Sequence, residues 1–149
     1  MRILPAPDEL TAPYWNAARE HRLVIQRCAC GRLSHPPVVS CPACHGGAFT
    51  WEPMSGDGEV YAFTWVSHSV HPVSAGQTPY ILVLVELAEG PRVLTNLRNC
   101  APEDVRVGLG VRVLFEDISD TVTLPQFAPR PPRPARQPGP GQRSQGAPA

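Results

Sequence analysis

No lysine occurs in this chain of 149 residues, and all 13 of its basic side chains are arginine. That bias travels with alanine and proline richness and says little about function. Long apolar runs are missing as well. The most apolar stretch, Tyr80 to Leu87, has the length of a strand and falls far short of a bilayer-spanning helix. The N-terminus has no apolar core of the kind a secretory signal carries. Positive charge is scarce where a nucleic-acid surface needs it. Arg130, Arg133, Arg136 and Arg143 sit in a tail without one acid, so residues 1–127 hold nine arginines against 13 acids, a formal charge of −4. A nucleic-acid footprint requires concentrated positive charge on the folded surface, and this body lacks it. Walker loops, dinucleotide fingerprints and zinc-protease helix motifs are absent too.

What the chain does have is cysteine in a pattern. Cys28 and Cys30 form one close pair, and Cys41 and Cys44 form a second, followed by His45, Gly46 and Gly47. Two such pairs bring four thiolates onto one tetrahedral ion, and zinc is the metal that this donor set favours. Four sulfurs leave no open position for water or substrate, so the site is structural. An iron centre of the rubredoxin kind uses the same ligands, and His35 or His45 is the alternative donor if a sulfur is replaced. The first pair is one residue shorter than the usual two-residue gap. Cys100 stands alone, which argues against a disulfide framework and for a reducing, cytoplasmic setting.

The chain divides into four stretches. Residues 1–22 form an N-terminal segment with a short helix that starts at Pro13 and carries Tyr14, Trp15, Ala18 and Arg22 on one side. Residues 23–50 read as strand, thiolate turn, strand, with Val38-Val39-Ser40 leading into the second cysteine pair. So small a piece buries too little apolar surface to fold alone, and metal ligation supplies the missing energy. Residues 51–127 form the β domain, with a hinge from Trp51 to Gly58 and five short strands separated by glycine turns. That count is what a five-stranded OB-type barrel requires. Residues 128–149 hold seven prolines and three glycines and are expected to be a disordered tail. The fold class is mainly β: N-terminal helix, rubredoxin-like zinc ribbon, OB-fold barrel, tail.

Candidate chemistry outside the cysteines is thin, and no catalytic residue is assigned. His68 and His71 lie between the first two barrel strands, where they can touch a ligand or line a channel, but spacing supplies no acid partner for them. Glu86 and Glu89 flank a turn and make no recognisable carboxylate pair. Tyr14, Trp15, Phe63 and Trp65 are candidate partner contacts, because aromatic residues anchor interfaces at low entropy cost. Two competing readings remain. One is a single-stranded nucleic-acid module whose aromatics stack on bases; the other is a small enzyme using the loop histidines.

An ordered series of motifs goes further. Pro13-Tyr-Trp15, Leu23-Val-Ile-Gln-Arg-Cys28, Cys30-Gly-Arg-Leu33, Pro36-Pro37 and Cys41-Pro-Ala-Cys44 lead into Gly58-Glu-Val-Tyr-Ala-Phe-Thr64, Pro79-Tyr-Ile-Leu-Val-Leu-Val-Glu86, Gly90-Pro-Arg-Val-Leu94 and Val111-Arg-Val-Leu-Phe-Glu116. Over residues 12–127 the chain resembles the zinc-ribbon plus OB-fold proteins that accompany thiolase-like enzymes of acyl-CoA metabolism. The resemblance implies a non-catalytic accessory subunit beside a thiolase or a retro-aldolase of steroid side-chain degradation, with a hotdog-fold hydratase as a further partner. It also implies zinc on Cys28, Cys30, Cys41 and Cys44. The departure from the family pattern is the short Cys28–Cys30 gap.

Overall fold

The computed structural model describes residues 4–68, 76 and 78–131. Helix α1 spans Ala12–Arg19, with Thr11 at its N-cap and Pro13 in the first turn. Asp8 and Thr11 brace its entry: the Thr11 N–H donates to Asp8 Oδ1 at 2.8 Å and the Asp8 N–H to Thr11 Oγ1 at 3.0 Å. Tyr14, Ala17 and Ala18 form the buried stripe, at the three- and four-residue spacing of one helical face. The helix stops before the expected Arg22, because His21 adopts φ 55° and turns the chain out of the helical path. Ala17, rather than Arg22, completes the packed side.

Three strands follow: β1 (Val24–Cys28), β2 (Leu33–Ser34) and β3 (Phe49–Pro53), in the order β2-β1-β3. Trp51 was expected to open a hinge. Instead Trp51–Pro53 pair with β1 along a continuous antiparallel register from Val24↔Pro53 to Cys28↔Phe49. Between β2 and the second cysteine pair, Val38-Val39-Ser40 forms no strand. Pro36 and Pro37 supply no N–H for a ladder, and the buried Gln26 amide takes the place of a neighbouring strand. It donates to Val38 O at 3.0 Å and accepts from Val38 N–H at 2.8 Å.

The β domain is a closed barrel of β4 (Asp57–Val66), β5 (Tyr80–Leu87), β6 (Arg92–Leu97), β7 (Gly110–Ser119) and β8 (Val122–Pro129), in the order β4-β5-β6-β8-β7. All pairings are antiparallel except β6 with β8, which meet in parallel at Leu97↔Phe127. A 3-10 turn at Pro102–Asp104 fills the connection between β6 and β7, where the OB topology places it. The interior is lined by Val60, Ile81, Val83, Val85, Val93, Leu97, Val111 and Phe127. Tyr14, Leu23, Ile25 and Met54 join this cluster, so helix, ribbon and barrel share one core. Gly58 is required by close approach: a Cβ there would lie 2.6 Å from Glu86 O on the facing strand. The last strand carries the barrel to Pro129, past the boundary expected at 127, and the Arg130 N–H donates to Gly110 O at 2.9 Å. The rest of the proline-rich tail, from 132 on, lies outside the described residues.

Candidate metal centre and exposed barrel face

Cys28 ends β1, Cys30 lies in the turn after it, and Cys41 and Cys44 lie in the loop before β3. Their four Sγ atoms lie within 4.8 Å of one another. A tetrahedral zinc thiolate centre with Zn–S of about 2.3 Å requires sulfurs about 3.8 Å apart. Cys28 Sγ to Cys44 Sγ is 3.5 Å and Cys30 Sγ to Cys41 Sγ is 3.7 Å. The donor set therefore fits one zinc ion, and the short first gap does not prevent it. Gly31, at φ 93°, bends the chain tightly enough to return Cys30 towards the second pair.

The two knuckles differ in how their backbone holds sulfur. Cys41 Sγ accepts from the Cys44 and Ala43 N–H groups, which hold its thiol down at about 6. Cys28 Sγ receives the Cys30 N–H, which lowers its pKa, but burial and the neighbouring thiols push it up to about 12. The longer second pair thus stabilises thiolate with two donors, and the shortened first pair with one. Bound zinc would keep all four sulfurs deprotonated. His35, an alternative donor by sequence, is instead half-buried beside the Tyr14 ring at 5.2 Å, with its imidazole lowered to about 4 by desolvation. His45 sits in the second knuckle at φ 58°.

The aromatic candidates separate into two groups. Tyr14 is only 7% exposed and belongs to the core. It holds Trp15 edge-on at 5.0 Å, and Trp15 packs partly buried against the same cluster. Phe63 and Trp65 are 42% and 44% exposed, yet they stand opposite Val83 and Ile81 in the β4–β5 ladder. Residues directly opposite in a ladder share a face, and Val83 and Ile81 point into the barrel. Phe63 and Trp65 therefore continue the inner face beyond the point where the barrel closes, because β7 pairs with β4 only from Asp57 to Glu59.

Tyr61 escaped the sequence reading. A register shift between Val60 and Ala62 breaks the alternation there, and Arg92 lies 3.4 Å from the Tyr61 ring centroid while pairing with Glu86 at 2.8 Å. Leu94, 63% exposed on β6, was also missed, since strand periodicity alone does not say which outer positions stay bare. His68 lies exposed just after β4, and His71 falls outside the described residues. Cys100 is half-buried, its thiol pushed up by burial and by Asp104 and Glu103, which suits packing rather than nucleophilic attack.

Two family models cover most of this architecture: a ChsH2 rubredoxin-like zinc ribbon domain over residues 15–50, and a ChsH2 C-terminal OB-fold domain over residues 51–116. The chain belongs to the ChsH2 family. Among ChsH2 relatives it is 40% identical over 136 residues to a Thermomonospora curvata protein named probable enoyl-CoA hydratase alpha subunit, covering 89% of this chain and 41% of that one. It is 36% identical to the 3-oxo-4,17-pregnadiene-20-carboxyl-CoA hydratase alpha subunit of Mycobacterium tuberculosis, over 78% of this chain and 37% of that one. The chain thus spans about two fifths of the length of these hydratase subunits. A DUF35 domain-containing scaffold protein of Methanocaldococcus jannaschii is 32% identical, over 76% of this chain and 82% of that one. Among solved structures, a chain of the Ltp2-ChsH2(DUF35) aldolase superposes with a TM-score of 0.76 at 40% identity, over 84% of this chain and 98% of that one. No helix among the described residues is long and apolar enough to cross a membrane.

Proposed function

We propose that this chain is a non-catalytic accessory or bridging subunit of a thiolase-like enzyme, a thiolase or a retro-aldolase, acting on acyl-CoA thioesters in the cytoplasm. The observation that carries the reading is the uncovered end of the inner barrel face. Phe63 and Trp65 are interior-type residues in register and surface residues in exposure, which is the signature of a surface that another protein finishes. The names of the relatives support the reading: one is a scaffold, two are hydratase subunits, and one was solved as part of an aldolase.

In this reading zinc on Cys28, Cys30, Cys41 and Cys44 is structural, and its role is to hold the ribbon rigid against the barrel. Phe63, Trp65 and Trp15 supply the contact surface, and Tyr14 supports Trp15 from below. His68 and His71 belong to a loop that meets the partner or borders its acyl-CoA channel. The reacting groups belong to the thiolase-like partner, and a hotdog-fold hydratase is a second protein that the same scaffold would bridge.

The test is a turnover assay on acyl-CoA substrate with the co-expressed thiolase-like partner, the partner alone and this chain alone. The expected result is turnover that needs the pair and none from the chain by itself. Full activity of the partner without this chain, or turnover by this chain that disappears in His71→Ala, would replace the reading with another.

A further inference from the structure

The outer edge of β4 is free where its aromatics are exposed. Asp57–Glu59 pair with β7, and both polar groups of the Val60 backbone are taken by the neighbouring loop, with Val60 N–H donating to Leu109 O at 3.0 Å and Gly108 N–H donating to Val60 O at 2.8 Å. Beyond that point β5 continues along one side as far as Val66↔Tyr80, and no described residue pairs with the other. The exposed edge reads Tyr61-Ala-Phe-Thr-Trp-Val66, with no charge and no proline. Natural edge strands are guarded by lysine, proline or inward-pointing charge, and an unguarded edge adds a further strand.

We infer that the partner docks by β-strand addition: an extended segment of the thiolase-like protein pairs with the outer edge of β4 at residues 61–66. Its alternate apolar side chains close over Phe63 and Trp65, and a basic side chain beyond them meets Glu59. This rests on the accessory-subunit reading and adds to it the place and manner of contact.

Three observations choose this occupant over a second copy of the chain. The first is area. Two rings about half exposed offer roughly 200 Å² of apolar surface, and a stable dimer buries about 1,200 Å² or more in total. Copies joined by this edge alone fall short of that figure, whereas a large partner adds contacts elsewhere. The second is charge. Glu59 faces Glu86 across the ladder, Arg92 takes up Glu86, and Glu59 has no cation among the described residues. Like charges directly opposite destabilise a sheet, so the fitting neighbour is basic, and a second acidic body is not. The third is face. The added strand would extend the inner surface that Val83 and Ile81 begin, which gives its apolar residues a core to join and specificity through alternate positions.

Hydrogen exchange read by mass spectrometry, on the full chain alone and in its complex with the co-expressed partner, tests the inference. The amides of residues 62–66 that face outward should exchange at least about tenfold more slowly in the complex, and the lone chain should sediment as a monomer. Trp65→Arg should weaken the complex by about tenfold or more, and Leu114→Arg, on β7, should leave it intact. A complex that forms with exchange at 62–66 unchanged overturns strand addition while leaving the accessory reading in place. Absence of any complex removes both. A lone-chain dimer protected at 62–66 would make the occupant a second copy and equally overturn the proposal.

Discussion

His35 shows how one half-buried side chain sets a pH limit. It lies under the Tyr14 ring, and burial lowers its imidazole from 6.5 to about 4. The folded value is below the unfolded one, so the unfolded chain binds more protons between those two pH values. Stability is therefore complete above about 6.5 and falls as pH drops towards 4, by about 3 kcal/mol at the lower end. Thermal melts from pH 7 to 4 should show that loss, and His35→Phe should flatten it; an unchanged slope in the variant would assign the loss to other groups. Gly58 is a second single-residue constraint. A Cβ at 2.6 Å from Glu86 O forces β4 away from β5, and Gly58→Ala should destabilise by about 1–3 kcal/mol in chemical denaturation. A variant as stable as the parent would mean that the two strands part freely there.

At the scale of elements, the ribbon and the barrel differ in what holds them. The barrel has its own interior of valine, isoleucine, leucine and phenylalanine. The ribbon segment contributes Leu23 and Ile25 to that core, and its cysteine loops are gathered by the sulfur cluster and a few hydrogen bonds, such as Ala29 N–H to Ala48 O at 3.0 Å. Metal binding to such a site is on the order of 10 kcal/mol of folding free energy. A strong chelator should therefore disorder the segment from Cys28 to Phe49 while the barrel keeps its β-sheet circular dichroism. Loss of the whole sheet signal at the same chelator concentration would show instead that the barrel leans on the metal as well.

The elements also show what the sequence made readable. Strand β5 came out at its true bounds, Tyr80–Leu87, because its apolar, β-branched run ends just before the Gly90 turn. The four cysteines gave the metal centre by spacing alone. β3 stayed hidden because Trp51-Glu-Pro53 has no alternation and ends in proline, which an edge strand tolerates at its terminus. The pairing of the Gln26 side chain with the Val38 backbone was hidden too, because a side chain standing in for a strand leaves no periodic pattern. The exposure of Phe63 and Trp65 was unreadable because it depends on where β7 stops, a long-range fact about closure that no local pattern encodes.

The molecule as a whole is one core with one uncovered end. Helix α1, the ribbon and the barrel meet through Tyr14, Ile25, Met54 and Phe127, so the unit should melt in a single transition once metal is bound. Arg130 belongs to this unit, through Gly110 O at 2.9 Å and through Asp57 at 3.6 Å. A chain cut after Pro131 should keep the parent melting temperature within about 1 °C, since a change well below 0.5 kcal/mol shifts it little. A cut after Phe127 removes the Arg130 contacts and the end of β8 and should lower it. Equal melting of the two truncations would deny that the final strand matters.

The central claim is that a zinc-bound ChsH2-family scaffold finishes its surface on a larger partner. Native mass spectrometry of the co-expressed pair reads both halves of that claim in one spectrum. The account predicts a complex containing this chain, its thiolase-like partner and one zinc ion per copy of the chain. Separate, metal-free species at micromolar concentration, from protein that is otherwise folded, would contradict it.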